Sequence, residues 1–156
     1  MAIIMEPFGA KLDRADTSPE FKVGTVAKID DGGTAVYISA SSAIAVNDAV
    51  GIDENFAGAP ITKAMLDDGF NFGVAADVAI ASASYGWARK QGSNFSVNVL
   101  ASCAADAPLY SSASAGKLDD SSSSQTKVDG IVIVTADGGS GSAIECIATY
   151  PKSTTF

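Results

Sequence analysis

The chain has 156 residues, enough for one domain with a buried core, and 47% of them are hydrophobic. Ten lysines and arginines against eighteen aspartates and glutamates give a net charge of -8. Because nucleic-acid binding draws its affinity from neutralised phosphates, this negative charge argues against a nucleic-acid partner. The chain contains no histidine, which excludes the Ser-His-Asp and Cys-His catalytic arrangements.

Residues 1–20 are predicted to form an extended N-terminal arm. They include two prolines and show neither helical nor strand periodicity. Apolar side chains on such a segment need a surface to cover, so the arm is predicted to dock on a neighbouring subunit; a frayed terminus is the alternative. The residues predicted to bind this partner are Ile3, Ile4, Pro7 and Phe8.

The sequence predicts no signal peptide and no membrane segment. The start of the chain has no basic leader, and Glu6 and Pro7 interrupt its apolar residues. No stretch approaches the roughly 18 apolar residues that cross a bilayer. We therefore expect folding in a cytoplasm, where Cys103 and Cys146 fit as small buried hydrophobes, with a disulfide between them as the open alternative.

The remaining residues, 21–156, are predicted to form one β domain. Alternating apolar residues over 21–29 predict a strand, and the Asp-Asp-Gly-Gly turn at 30–33 predicts a hairpin with 34–39. Residues 60–66 are expected to form an edge strand or irregular segment, with a short helix starting near Pro60 as the alternative.

The second half of the chain continues this pattern. Residues 74–80 alternate as a strand, and two further hairpins are predicted, one turning at 91–93 and one joining 128–134 to 143–150, where Pro151 should end the pairing. The serine-rich stretch 111–127 is expected to be a surface loop. These features predict a mainly β fold with little helix, a single small antiparallel β-barrel or β-sandwich.

The sequence offers no residue set that predicts a catalytic, cofactor or metal site. Without histidine, two cysteines 43 positions apart do not make a zinc site. Three pairs of adjacent aspartates could attract calcium, but each pair precedes glycine or serine, which is typical of turns. The single tryptophan, Trp87, is expected to be buried in the core or at a subunit contact.

Several segments, in this order, resemble the decoration (cement) proteins of tailed bacteriophages, with the similarity covering roughly residues 21–150. The segments are Gly-Val-Ala at 73–75, Tyr-Gly-Trp at 85–87, Val-Asn-Val-Leu-Ala-Ser-Cys at 97–103, Ala-Pro-Leu-Tyr at 107–110, Ala-Gly-Lys-Leu-Asp-Asp at 115–120 and Asp-Gly-Ile at 129–131.

The resemblance implies a β-rich structural protein, often a homotrimer, that binds the outer surface of a phage head at the major capsid protein and stabilises the capsid. It implies no catalysis, and a location on the virion capsid surface after synthesis in the bacterial host. The alternative function is a host- or glycan-binding module on the virion surface, with 111–127 as its recognition loop. The N-terminal arm lies outside the similar region.

Overall fold

The computed structural model describes residues 10–29, 32–123 and 125–154. These residues form ten strands and one helix. The strands are β1 (Val26–Lys28), β2 (Thr34–Ala40), β3 (Ala49–Ile52), β4 (Ala57–Pro60), β5 (Asn71–Ala75), β6 (Tyr85–Asn98), β7 (Leu109–Ser111), β8 (Leu118–Asp119), β9 (Lys127–Ile133) and β10 (Ala143–Thr154), and the helix is α1 (Lys63–Asp67). The mainly β fold with little helix is therefore confirmed.

All ten strands belong to one sheet, in the order β1-β2-β4-β3-β5-β6-β10-β9-β7-β8. An additional pairing of β2 with β6 bends the sheet into a partial ring of β2, β4, β3, β5 and β6. The sheet is mixed and not purely antiparallel as expected, because β4 returns from the β3 hairpin to lie parallel to β2.

Apolar side chains from the ring strands fill its interior, together with Ile44 and Ile80, which form an isolated bridge between the segments after β2 and β5. The buried residues of this cluster are Val36, Ile38, Ala40, Ile44, Val50, Ile52, Ala75, Ile80 and Ala88. The interior is tight at Gly58 of β4, where an added Cβ would lie 2.7 Å from Cδ1 of Ile38. A glycine is therefore required for this close approach.

The segment before β1 covers the opposite face of β2 and β6. Asp16 forms an isolated antiparallel bridge with Tyr85, and the Phe21 ring lies 5.4 Å from Tyr37 and 5.5 Å from Trp87. Trp87 is 1% exposed, so its predicted burial is confirmed. The strand predicted from residue 21 is shorter than expected, because residues 21–25 pack as an irregular segment before β1.

Strand β6 connects the ring to the second half of the sheet. Its first residues pair with β2, and its last residues pair with β10. The hairpin predicted at 91–93 is wrong: the 14 residues of β6 run through Gly92 as one strand. The local Gln-Gly-Ser signal does not form a turn, because the two halves of β6 pair with the long strands β2 and β10.

The predicted hairpin of β9 and β10 is confirmed. A carboxylate organises its connection, since Asp137 accepts hydrogen bonds from the backbone N–H groups of Ser102, Gly139, Gly141 and Ser142. These backbone bonds, led by those from Gly141 and Ser102, hold the pKa of Asp137 well below its usual range.

Strand β10 continues past Pro151, contrary to expectation, because the proline lies in a bulge where no ladder bond is required.

Between β4 and β5, the chain adopts the helical alternative after Pro60. Thr62 caps α1 by accepting a hydrogen bond from the backbone N–H of Met65, although that bond is long at 3.4 Å.

In the described ranges no helix is long and apolar enough to span a membrane.

The serine-rich stretch contributes more to the structure than a surface loop. Leu118 of β8 is fully buried, and Ser111 and Ser112 are also buried. The Ser111 hydroxyl donates to Gln125 Oε1 at 2.8 Å. Leu118 joins the third apolar cluster, which lies between β5, β6, β10, β9 and β7.

Candidate functional site

An open apolar groove lies at one end of the ring interior. It has a volume of about 180 Å³ and continues the interior cluster at Val36 and Ile52. The full lining is Val26, Thr34, Val36, Ile52, Phe56, Asn71, Lys90 and Tyr150. The mouths of β-barrels are preferred positions for binding sites, and the groove has the corresponding position in this partial ring.

One rim of the groove is formed by Phe56, in the turn between β3 and β4. Its φ of 60° lies in the left-handed region, where a bulky residue is an outlier. The turn is held by Asp53, whose Oδ1 accepts hydrogen bonds from the backbone N–H groups of Asn55 and Ala57. The Phe56 ring lies against Gly24, where an added Cβ would come within 2.5 Å of Cε2, and the residue remains 37% exposed.

The other rim is formed by Tyr150, which also has a left-handed φ, of 48°. The register between β9 and β10 shifts here, because Ala148 pairs with Ile131 and Lys152 with Asp129. Three residues of β10 therefore oppose Gly130 alone, and the bulge presents Tyr150 at 55% exposure.

Lys90 supplies the positive charge of the groove. Its Nζ donates a hydrogen bond to the backbone carbonyl of Phe72. Burial lowers the pKa of Lys90 to about 8, since a charged amine is poorly solvated among apolar neighbours. Within the described ranges, the structure's ion pairs do not include Lys90. Near neutral pH the groove therefore holds an ammonium group that pairs with no carboxylate of the described residues.

Two aromatic residues with left-handed φ values and a cation thus line one apolar groove. A left-handed conformation at a non-glycine residue costs about 1–3 kcal/mol, and such residues cluster at binding sites. The arrangement is suited to an apolar group that carries a single carboxylate. Among the described residues that line it, no nucleophile is paired with a base.

A second exposed apolar surface lies on the outer face of β9 and β10. Val132 and Ile147 are directly opposite each other in the ladder, and Val134 follows on the same face. All three side chains are exposed, whereas their neighbours Ile131, Ile133 and Cys146 face the core. We call Val132, Val134 and Ile147 the β9–β10 apolar face.

The residues predicted to bind a partner, Ile3, Ile4, Pro7 and Phe8, lie outside the described residues. The groove itself was not predicted from the sequence. The available signals were an isolated phenylalanine after Asp-Glu-Asn at 53–55 and a tyrosine before Pro151. Neither signal shows that Phe56 and Tyr150 line the same groove.

Cys103, Asp119 and Asp120 form a possible metal-ligand group, with their ligand atoms all within 4.8 Å of one another. Burial, together with these two carboxylates, raises the pKa of the Cys103 thiol to about 11. A protonated thiol is a poor ligand, and Asp120 Oδ2 already accepts a hydrogen bond from the backbone N–H of Ala104. We interpret the group as structural. Cys103 and Cys146 are both buried and free.

Compared with known proteins, the chain matches no family model, no curated protein and no solved structure.

Proposed function

We propose that the chain is a structural virion protein that binds the outer surface of a bacteriophage head and stabilises the capsid without catalysis. Its partners in this proposal are the major capsid protein and further copies of itself in a homotrimer. It is synthesised in the bacterial host cytoplasm and resides on the capsid surface. The partial ring would be the barrel-like unit expected from the sequence.

The observation that carries this proposal is the position of the segments that resemble decoration proteins. They lie on or beside β5, β6, β7, β8 and β9, which together with β10 are consecutive neighbours in the sheet, in the order β5-β6-β10-β9-β7-β8. Segments separated by tens of residues in sequence are thus neighbours in the fold. This is the arrangement expected if they specify one common structural unit.

The β9–β10 apolar face lies on two of these strands and supports an adhesive role. Exposed apolar side chains that adjoin on a sheet face gain free energy when a partner covers them. The net charge of -8 favours solubility of the free protein before it meets that partner.

The proposal is tested with phage heads prepared without the protein. Decorated heads should release DNA at a higher temperature than bare heads, and Ile147→Ser should lower head binding by about tenfold, or 1.4 kcal/mol. Val46→Ser is the matched control, because Val46 is comparably exposed and is not on β9 or β10. Bare and decorated heads of equal robustness would refute the proposal.

A glycan-binding module is the second candidate, favoured by the exposed serines 121–123. A glycan array distinguishes the two: specific hits that are lost on replacing these serines with alanine would support recognition of sugars. An array without hits, combined with saturable binding to heads, would favour the capsid role.

A further inference from the structure

We propose that the groove lined by Phe56, Lys90 and Tyr150 is a binding site for a small monocarboxylate with an apolar body, whose carboxylate lies at the Lys90 ammonium. Such a ligand would bind whether or not the chain attaches to a phage head. The donors, the charge and the size of the groove each favour this class of ligand.

Irregular backbone carries all three of these lining side chains. Phe56 and Tyr150 have left-handed φ values. Lys90 is the extra residue of a bulge in β6, because the register with β2 shifts by one residue between Gln91 and Arg89. Bulges re-aim side chains and are frequent beside functional sites, and left-handed non-glycine residues cluster at ligand sites. The coincidence of three such irregularities at one groove therefore indicates a binding site.

The Lys90 ammonium has donors left for an anion. An ammonium group carries three N–H donors. Among the described residues one of them is used, in the hydrogen bond to the Phe72 carbonyl, and Lys90 forms no ion pair there. A ligand carboxylate would accept from the remaining N–H groups, and the apolar surroundings would strengthen this charged hydrogen bond.

A second unused donor lies next to Lys90. Thr34 also lines the groove, and it pairs with Gln91, the residue after Lys90. Its hydroxyl oxygen is buried and has no hydrogen-bond partner among the described residues. Buried polar groups are nearly always hydrogen-bonded, so this hydroxyl favours an acceptor brought by a ligand. A carboxylate at Lys90 would be that acceptor once the Thr34 side chain rotates about χ1.

The charge of the lining matches a monoanion. Lys90 is the one charged residue among the eight described residues that line the groove. A phosphate dianion would bring a second negative charge without a second cation to balance it. A neutral apolar molecule would cover the Lys90 ammonium without satisfying its donors, which is unfavourable.

The apolar part of the lining suits a small ligand body. Among the described residues, the exposed large hydrophobic side chains are Val26, Val46, Phe56, Val132, Val134, Ile147 and Tyr150. Three of these seven line the groove, so a ligand that covers them removes apolar surface from water. The groove volume of about 180 Å³ is close to that of an apolar cavity of about 150 Å³ that holds benzene, and below the roughly 300–1,000 Å³ of sites for drug-sized molecules. The body is therefore a single ring or a short alkyl chain.

Phenylacetate and its neutral counterpart phenylacetamide test the site on the unmodified full-length chain. A ¹H–¹⁵N NMR titration measures the affinity and identifies the amides that respond. Phenylacetate should shift the backbone amides of Phe56, Lys90 and Tyr150 saturably, and phenylacetamide should bind about tenfold more weakly. Equal affinity for the two probes would overturn the proposal, as would the lack of a saturable shift at these amides up to about 10 mM phenylacetate.

Lys90→Met tests the cation, because methionine removes the charge and keeps an unbranched apolar side chain. It should weaken phenylacetate binding by about tenfold and change phenylacetamide binding by less than about twofold. Lys22→Met is the matched control, since Lys22 is exposed and does not line the groove, and it should bind both probes as the wild type does.

Thr34→Val provides a second variant in case Lys90→Met does not fold, as judged by its NMR spectrum. It replaces the hydroxyl with a methyl group and should weaken phenylacetate binding by about fivefold. Phenylacetate affinity that is unchanged in both Lys90→Met and Thr34→Val would show that neither donor holds a carboxylate and would overturn the assignment.

Discussion

The hydroxyl of Tyr37 donates a hydrogen bond of 2.8 Å to Oδ2 of Asp16, which joins the segment before β1 to the sheet. Arg14 Nε lies 2.7 Å from the other carboxylate oxygen. Burial raises the pKa of Tyr37 to about 12, and the hydrogen bond to Asp16 acts in the same direction. The phenol therefore stays protonated and remains a donor over the physiological pH range.

Removing this donor should destabilise the protein. We expect Tyr37→Phe to lower the free energy of unfolding by roughly 1–3 kcal/mol, because a buried carboxylate oxygen loses its partner. Urea denaturation followed by tryptophan fluorescence measures the change. Tyr85→Phe is the matched control, since its ring stacks on Tyr37 and the described residues offer its hydroxyl no hydrogen bond. Equal stability of Tyr37→Phe and Tyr85→Phe would contradict a stabilising role for the hydrogen bond between Tyr37 and Asp16.

Trp87, on β6, packs beside Tyr37 in the contact between the sheet and the segment before β1. Its ring lies 5.0 Å from that of Tyr37 and is 1% exposed. We expect Trp87→Ala to cost roughly 3–5 kcal/mol, because the segment before β1 would pack over a cavity. Thermal unfolding by circular dichroism provides the measurement. Val46→Ala, at an exposed position, should change stability by no more than about 0.5 kcal/mol.

The strands with strong local patterns could be predicted from the sequence, and those decided by distant pairing could not. The β9–β10 hairpin has a β-branched run and a glycine-rich turn, so its pattern was sufficient. Gln91-Gly92-Ser93 carries an equally clear turn signal but lies inside β6. Pairing with β2 on one half of that strand and β10 on the other outweighs a local preference for turning.

The groove illustrates the same limit for the site. Phe56 and Tyr150 are 94 positions apart in sequence, and each is presented by an irregularity, a tight turn or a bulge. Periodicity describes regular strands and contains no information about such departures. In the sequence, Lys90 stands next to a turn signal, which is typical of a solvent-exposed lysine. In the structure, the closure of the ring buries most of its side chain.

Lys90 should make stability depend on pH in a definite direction. Its folded pKa, about 8, lies below the unfolded value of 10.5, so between these values the unfolded state binds more protons. This group therefore penalises the folded state fully below pH 8, and the penalty is relieved as pH rises towards 10.5.

The measurement is the urea midpoint of wild type and Lys90→Met at pH 7 and pH 10. The buried thiols and Tyr37 act in the opposite direction at alkaline pH in both proteins, so the difference between the two isolates Lys90. We expect Lys90→Met to have its largest stability advantage at pH 7 and to lose part of it at pH 10. An advantage that does not vary with pH would contradict the lowered pKa.

Gly130 should determine both the bulge in β10 and the position of Tyr150. Its φ is +82°, and an added Cβ would lie 2.8 Å from the backbone oxygen of Thr149, so Gly130→Ala forces the bulge to move. We expect a loss of roughly 1–3 kcal/mol in the free energy of unfolding. Gly138→Ala is the matched control, because an added Cβ there meets no atom within 4 Å, and it should cost less than about 0.5 kcal/mol. Chemical denaturation measures both variants, and amide hydrogen exchange at Thr149, Tyr150 and Lys152 reports the bulge. If Gly130→Ala were as stable as Gly138→Ala and exchange at the bulge were unchanged, Tyr150 would not owe its position to this glycine.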